Sequence, residues 1–210
     1  MHPADALLVT GYWLPVKDQN QATRNKQGGY MYETFEIILA GFGGQGILTA
    51  GSILAYAGML ENKHVSWLPS YGPEMRGGTA NCHVIVSEKL IASPILNSSD
   101  ALIVMNKPSL EKFEKSVRSG GMIIADSSII QDREERRDDI SYHLVPATKI
   151  ASELGNKAFA NIVILGKLIK KTGILSIDSI VKTLERVLPP HKHFLIPKEI
   201  EALKQGMACK

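Results

Sequence analysis

The sequence predicts an α/β domain, a mostly parallel sheet with helices on both faces, and two observations carry that expectation. From Phe35 onward, short apolar runs of strand length alternate with stretches whose apolar residues recur at helical spacing. That order of elements builds parallel sheets from crossover units. At the first junction the run Phe35-Glu36-Ile37-Ile38-Leu39-Ala40 passes through Gly41-Phe42-Gly43-Gly44-Gln45-Gly46 into a helical pattern at Ile47. Gly41, Gly43 and Gly46 satisfy G-x-G-x-x-G, whose glycines allow a tight turn, close approach of a ligand and close packing of helix on strand. The fold is therefore Rossmann-like.

In chain order the expected strands are Phe35 to Ala40, His64 to Leu68, Ala80 to Val86, Ala101 to Met105, Met122 to Ala125 and Tyr142 to Val145. Each is a short β-branched or apolar run bounded by turn residues. The helix Ile47 to Met59 follows the glycine loop. Pro108 to Val117 opens on a first-turn proline, Asn161 to Lys171 has apolar residues at helical spacing, and Ile177 to Leu188 is stopped by Pro189-Pro190. The tail 191–210 reads as an arm with a short helix that lies on the domain or reaches a partner. Residues 1–30 hold only the short apolar run Ala6-Leu7-Leu8-Val9 before a polar stretch, without the features of a signal peptide. They are expected to form a poorly ordered extension to a domain spanning 31–190.

Composition narrows the function. The chain has 210 residues with 44% hydrophobic content, enough for one domain's core and too little for a second domain. A net charge of +3, without long basic runs, gives no support to nucleic-acid or membrane-surface binding. No apolar run approaches the length of a membrane span. The two cysteines, Cys82 and Cys209, lack the close spacing of a zinc or iron–sulfur framework, so no metal site is expected. Cys82 reads as a small buried strand residue, and so few thiols suit a reducing cytoplasm.

Two loops hold the candidate site. Gly41, Gly43, Gly44, Gln45 and Gly46 are the expected cofactor-binding residues, because the amides at a helix start lack intrahelical partners and sit at the positive end of the helix dipole. The second loop runs Ser70-Tyr71-Gly72-Pro73-Glu74-Met75-Arg76-Gly77-Gly78-Thr79-Ala80-Asn81-Cys82. Gly72-Pro73 fixes a turn, Gly77-Gly78 permits close backbone approach, and Glu74 and Arg76 either pair or face a charged ligand. Ser70, Tyr71, Gly72, Pro73, Glu74, Arg76, Gly77, Gly78, Thr79 and Asn81 are the expected cofactor or substrate contacts; a tight surface turn is the plainer reading. A dinucleotide site also calls for an acid at the end of the second strand, about 20 residues on. That strand ends in Pro69-Ser70, and Glu61 precedes it, which argues against NAD.

The glycine loop, the segment Trp67 to Cys82 and the segment Asn156 to Gly166 together resemble the gamma subunit of 2-oxoacid:ferredoxin oxidoreductases, of the 2-oxoglutarate and branched-chain type. The resemblance runs from about Phe35 to about Leu188, and Met31 falls at the usual start of such subunits. It implies a complex with alpha, beta and delta subunits that converts a 2-oxoacid and coenzyme A to acyl-CoA and CO2 and passes electrons to ferredoxin. It places thiamine diphosphate, with its magnesium, and the iron–sulfur clusters in the partner subunits, and makes this chain inactive alone. The Gly-Asp-Gly pattern of a thiamine diphosphate site is missing here. The two loops are expected to converge on one crevice facing the catalytic partner, with Arg76 offering a cation to phosphate or carboxylate. The rival readings are a stand-alone nucleotide-binding oxidoreductase and a non-catalytic assembly subunit.

Smaller features have duller explanations beside the functional ones. Asn106 is a second-tier site candidate after a buried strand, or the cap of the helix at Pro108. Asn161 is expected to cap the helix that follows it. Ala158, Ala160 and Gly166 permit close approach of another helix, read here as a subunit interface. The mixed-charge run Asp132 to Asp139 reads as a solvated loop. His64 and His83 read as packed strand residues, and His191 and His193 as part of an exposed arm.

Overall fold

The computed structural model describes residues 6–9, 12–15, 23–24, 30–71, 78–131 and 136–209. Two short antiparallel ladders stand apart from the main sheet: β1 (Ala6–Val9) with β2 (Tyr12–Pro15), and β3 (Thr23–Arg24) with β4 (Tyr30–Met31). The expectation that residues 1–30 are poorly ordered otherwise lies outside the described residues.

The main sheet has six strands in the positions read from the sequence: β5 (Thr34–Phe42), β6 (His64–Tyr71), β7 (Thr79–Ser87), β8 (Ser99–Val104), β9 (Val117–Asp126) and β10 (Ser141–Val145). Their order is β10-β9-β8-β5-β7-β6, with β10, β9, β8 and β5 mutually parallel. β7 runs antiparallel to both β5 and β6. The reason is chain length. Only residues 72–78 join β6 to β7, too few for a crossover, which takes about a dozen residues or more.

Among the described residues six helices accompany the sheet: α1 (Ile47–Leu60), α2 (Lys107–Phe113), α3 (Ala147–Glu153), α4 (Ala160–Thr172), α5 (Ile177–Val187) and α6 (Ile196–Ala208). α2 is shorter than the sequence suggests; a 3-10 turn, Glu114–Ser116, follows it, and Val117 already belongs to β9. The two faces are covered unequally. Ile37, Leu39, Val84, Val86 and Ile103 pack against α1, α3, α4, α5 and α6. On the other face Ile38, Ile85, Leu102 and Ile123 cluster with Leu110 and Phe113 of α2 and with loop residues such as Ile91, Leu96 and Ile130.

Of the two placements expected for the helix of the tail, on the domain or on a partner, the structure shows the first. Ala202 and Leu203 of α6 are fully buried core residues, and α6 lies directly on α4. A Cβ on Gly166 would sit 2.1 Å from Leu203 O, and one on Gly206 would sit 1.8 Å from Val163 O. Gly166 of the Asn156–Gly166 segment thus admits the chain's own last helix. Lys167, buried on α4, anchors the end of α6 by donating to Cys209 O at 2.7 Å. Within the charged run, Asp132 to Glu135 lie outside the described residues, whereas Arg137 pairs with Asp139 and donates to Glu114 O and Val117 O at 3.0 and 2.8 Å. Part of that run therefore fastens the α2–β9 corner.

Glu199 makes α6 pH-sensitive. The residue is 7% exposed, its Oε2 has no hydrogen-bond partner among the described residues, and burial pushes its carboxyl up to about 7 against the opposing pull of Lys192. Raised above its unfolded value, it favours the fold while protonated, and that contribution is lost as pH rises from about 4.5 through about 7. Glu199→Gln is expected to recover roughly 2–3 kcal/mol at pH 8 and little at pH 4.5. Thermal melts of both proteins at the two pH values check this, and an equal gain at both would refute it.

Candidate functional site

β5 ends at Phe42, where its ladder with β7 closes at Phe42↔Thr79. One residue further, Gly43 N donates to Gly78 O at 2.9 Å, so the glycine loop is tied to the end of the second loop. Between Phe42–Gly46, the first turn of α1 and Gly78–Ala80 lies a cavity of about 500 Å³. Gly41 is buried beneath it. The convergence read from the sequence is therefore present for the described residues. Ser70 and Tyr71 reach the same edge, paired with Asn81 and Ala80. Gly72, Pro73, Glu74, Arg76 and Gly77 lie outside the described residues.

The chemistry of the cavity wall comes from α1. Its cap residue, Gly46, has φ 73 and no side-chain cap bond, and the first intrahelical bond is Ala50 N to Gly46 O at 2.9 Å. The amides of Ile47, Leu48 and Thr49 precede that bond, at the positive end of a 14-residue helix. Thr49 and Thr79 are exposed at the rim. Such a wall attracts an anion.

Gln45, expected among the ligand contacts, uses both ends of its amide inside the chain. Its Oε1 accepts from Phe42 N at 2.6 Å, and its Nε2 donates to Met105 O at 2.9 Å. The carboxyl ends of β5 and β8 are thereby bridged at the point where the strand order reverses, the place a dinucleotide crosses in related sheets. The open cavity lies instead on the β7 side. Asn106 takes the capping role: its Oδ1 accepts from Ser109 N at 2.8 Å, and it is 1% exposed and does not line the cavity.

Asn161 corrects another expectation. Phe159 occupies the cap position of α4, and Asn156 caps the preceding 3-10 turn by accepting from Ala158 N. Asn161 lies inside α4 and donates through Nδ2 to Gly46 O at 3.0 Å, across 115 residues of sequence. No local pattern signals a contact of that range. Cys82, as expected, is sealed: its Sγ faces Ile47 O at 3.7 Å, and burial pushes its thiol up to about 12. His83 is half-buried, and burial lowers its pKa. His193 bonds Leu188 O at 3.0 Å.

A second cavity of about 450 Å³ opens at the opposite edge of the sheet, away from both loops. Among its charged residues Arg118 bonds Glu36 and lies 2.9 Å from Asp100. Burial still pushes the Asp100 carboxyl up to about 6 despite that guanidinium. Among the described residues no cluster of three or more His, Cys, Asp or Glu is placed to hold a metal, and no helix is long and apolar enough to cross a membrane.

Residues 36–209 match the family described as Pyruvate ferredoxin/flavodoxin oxidoreductase, and the chain belongs to that family. Ketoisovalerate oxidoreductase subunit VorA of Methanothermobacter marburgensis is 38% identical over 147 residues, covering 70% of this chain and 30% of that protein. The chain thus spans less than a third of the length of that relative. The 2-oxoglutarate synthase subunit KorC of Methanocaldococcus jannaschii is 36% identical over 156 residues, covering 73% of this chain and 83% of that one. Among solved structures, the gamma subunit of a keto/oxoacid ferredoxin oxidoreductase from Geobacter sulfurreducens superposes with a TM-score of 0.70 at 26% identity, covering 83% of this chain and 96% of that one. The 2-oxoglutarate:ferredoxin oxidoreductase from Magnetococcus marinus, solved with 2-oxoglutarate, coenzyme A and succinyl-CoA, shares the fold with a TM-score of 0.77 at 21% identity, over 84% of this chain and 31% of that one.

Proposed function

We propose that the chain is the gamma-type subunit of a multi-subunit 2-oxoacid:ferredoxin oxidoreductase, 2-oxoglutarate synthase-like in its reaction. Its partners are alpha, beta and delta subunits, its place is the cytoplasm, and ferredoxin receives the electrons through the complex. The domain that serves this role begins after residue 30. The observation that supports the reading is the junction of Gly43 with Gly78, which sets Gly78–Ala80, where the second loop enters β7, beside the first-turn amides of α1. The crevice then faces the catalytic partner and holds a phosphate of coenzyme A on the amides of Ile47 to Thr49, with Arg76 as a second, charged donor. Coenzyme A supplies the thiol that accepts the acyl group.

The other cofactors do not fit this chain. Among the described residues no carboxylate lines the crevice to hold magnesium for thiamine diphosphate. The thiol of Cys82 is buried and its pKa is raised, which disfavours the thiolate that an iron–sulfur cluster binds. Both groups belong to partner subunits, and the chain alone is expected to be colourless and inactive.

The test starts from the complex that copurifies with the chain, assayed with coenzyme A, ferredoxin and either 2-oxoglutarate or 2-oxoisovalerate. Arg76→Ala is expected to lower kcat/KM for coenzyme A about tenfold or more, the loss that goes with one charge-assisted hydrogen bond. Melting of the subunit should hardly change, because a surface ion pair, if Arg76 made one, would be worth only about 0–1 kcal/mol. Unchanged rates at every concentration would overturn the role of Arg76. Loss of assembly alone would move it to the subunit interface.

A further inference from the structure

The Asn156–Gly166 segment contributes to the family resemblance, yet the proposed function gives it no task. We infer that Asn161 is a positioning residue: its side-chain amide holds the Gly46–Ile47 peptide so that the glycine loop presents its amides to the crevice. The inference rests on the reading of that loop as a coenzyme A site.

Gly46 O receives two donors, Asn161 Nδ2 at 3.0 Å and Ala50 N at 2.9 Å. In a trans peptide the N–H points opposite to the C=O. Fixing the Gly46 carbonyl toward α4 therefore turns the Ile47 N–H the other way, and both residues line the cavity. The contact is fitted closely, for a Cβ on Gly46 would lie 2.4 Å from Asn161 Nδ2. Asn161 is 4% exposed, so water does not stand in for its amide. Its base is firm as well, because Gly166 and Gly206 lock α4 to α6 by backbone contact.

Stability alone gives no reason for an amide at this position. Asn161 Oδ1 is buried without a partner among the described residues, a cost that an apolar side chain of similar size would not carry. What the amide adds is the directed bond to Gly46 O.

The experiment uses the complex in which the chain purifies, with Asn161→Leu and Asn161→Asp. Asn161→Leu is expected to leave melting within a few degrees while the hydrogen-bonded amides of Gly43, Gln45 and Ala50 exchange about five- to tenfold faster, the loss of one buried hydrogen bond. KM for coenzyme A should rise by a similar factor, with kcat changed less than about twofold, because a misplaced binding loop weakens ground state and transition state alike. In Asn161→Asp both effects should fade as pH is lowered, since the protonated carboxyl again donates to Gly46 O; Asn161→Leu should show no such trend. Unchanged exchange in Asn161→Leu, or no pH trend in Asn161→Asp, overturns the inference. Faster exchange with an unchanged KM sustains the clamp on the loop and overturns coenzyme A as its ligand. Should Asn161→Leu fail to assemble, the pH trend of Asn161→Asp decides.

Discussion

Gly206→Ala is expected to lower the melting temperature of the chain by roughly 10 °C, the response of a protein of this size to about 3 kcal/mol. The added Cβ would sit 1.8 Å from Val163 O and 2.7 Å from Val163 C. Those are backbone atoms in the middle of α4, so no rotamer change relieves the clash and the helices must separate. Separation opens the packing of Ala202 and Leu203 against the core and pulls Lys167 from Cys209 O. Gly166→Ala meets Leu203 O at 2.1 Å from the opposite side and should behave alike. Because each clash already forces the same separation, the double variant should fall well short of the sum of the two. A melting temperature within about 2 °C of the unmodified chain would show that α6 is only loosely held on α4.

How much of this was legible depends on the range of the interactions. The six main strands were read at their correct places because each carries its own signal, a short apolar or β-branched run bounded by turn residues. The direction of β7 was implicit in the short stretch between Tyr71 and Thr79, which no crossover can span. α3 was missed because Ala147–Glu153 is only seven residues long and begins after Pro146; a segment so short gives little periodicity to read. The small residues around Gly166 pointed correctly to a close helix contact, but only the fold identifies α6 as the partner. Likewise the glycine loop was visible as a motif, whereas its supports were not. Gln45 reaches Met105 across 60 residues and Asn161 reaches Gly46 across 115, distances over which local pattern carries no information.

Those supports make the glycines of the loop unequal, and substitution should reveal it. Gly44 and Gly46 both have positive φ, at 96 and 73, so alanine at either adds backbone strain of about 1–2 kcal/mol. A Cβ on Gly44 would meet nothing within 4 Å, whereas one on Gly46 would lie 2.4 Å from Asn161 Nδ2 and 2.9 Å from Asn161 Cγ. Gly46→Ala must therefore displace the Asn161 amide as well, releasing the Gly46 carbonyl and leaving a second buried polar atom unpaired. We expect Gly44→Ala to raise KM for coenzyme A about threefold or less in the assembled complex, and Gly46→Ala to raise it well over tenfold. Adding Asn161→Ala to Gly46→Ala removes the side chain that the new methyl strikes. The double variant should then be no worse than Gly46→Ala alone, the non-additivity of two changes at one contact. Equal effects of the two glycine substitutions would mean that strain in the loop, and not its clamp to α4, sets the geometry of the site. Full additivity in the double variant would mean that Gly46 and Asn161 act on the crevice independently.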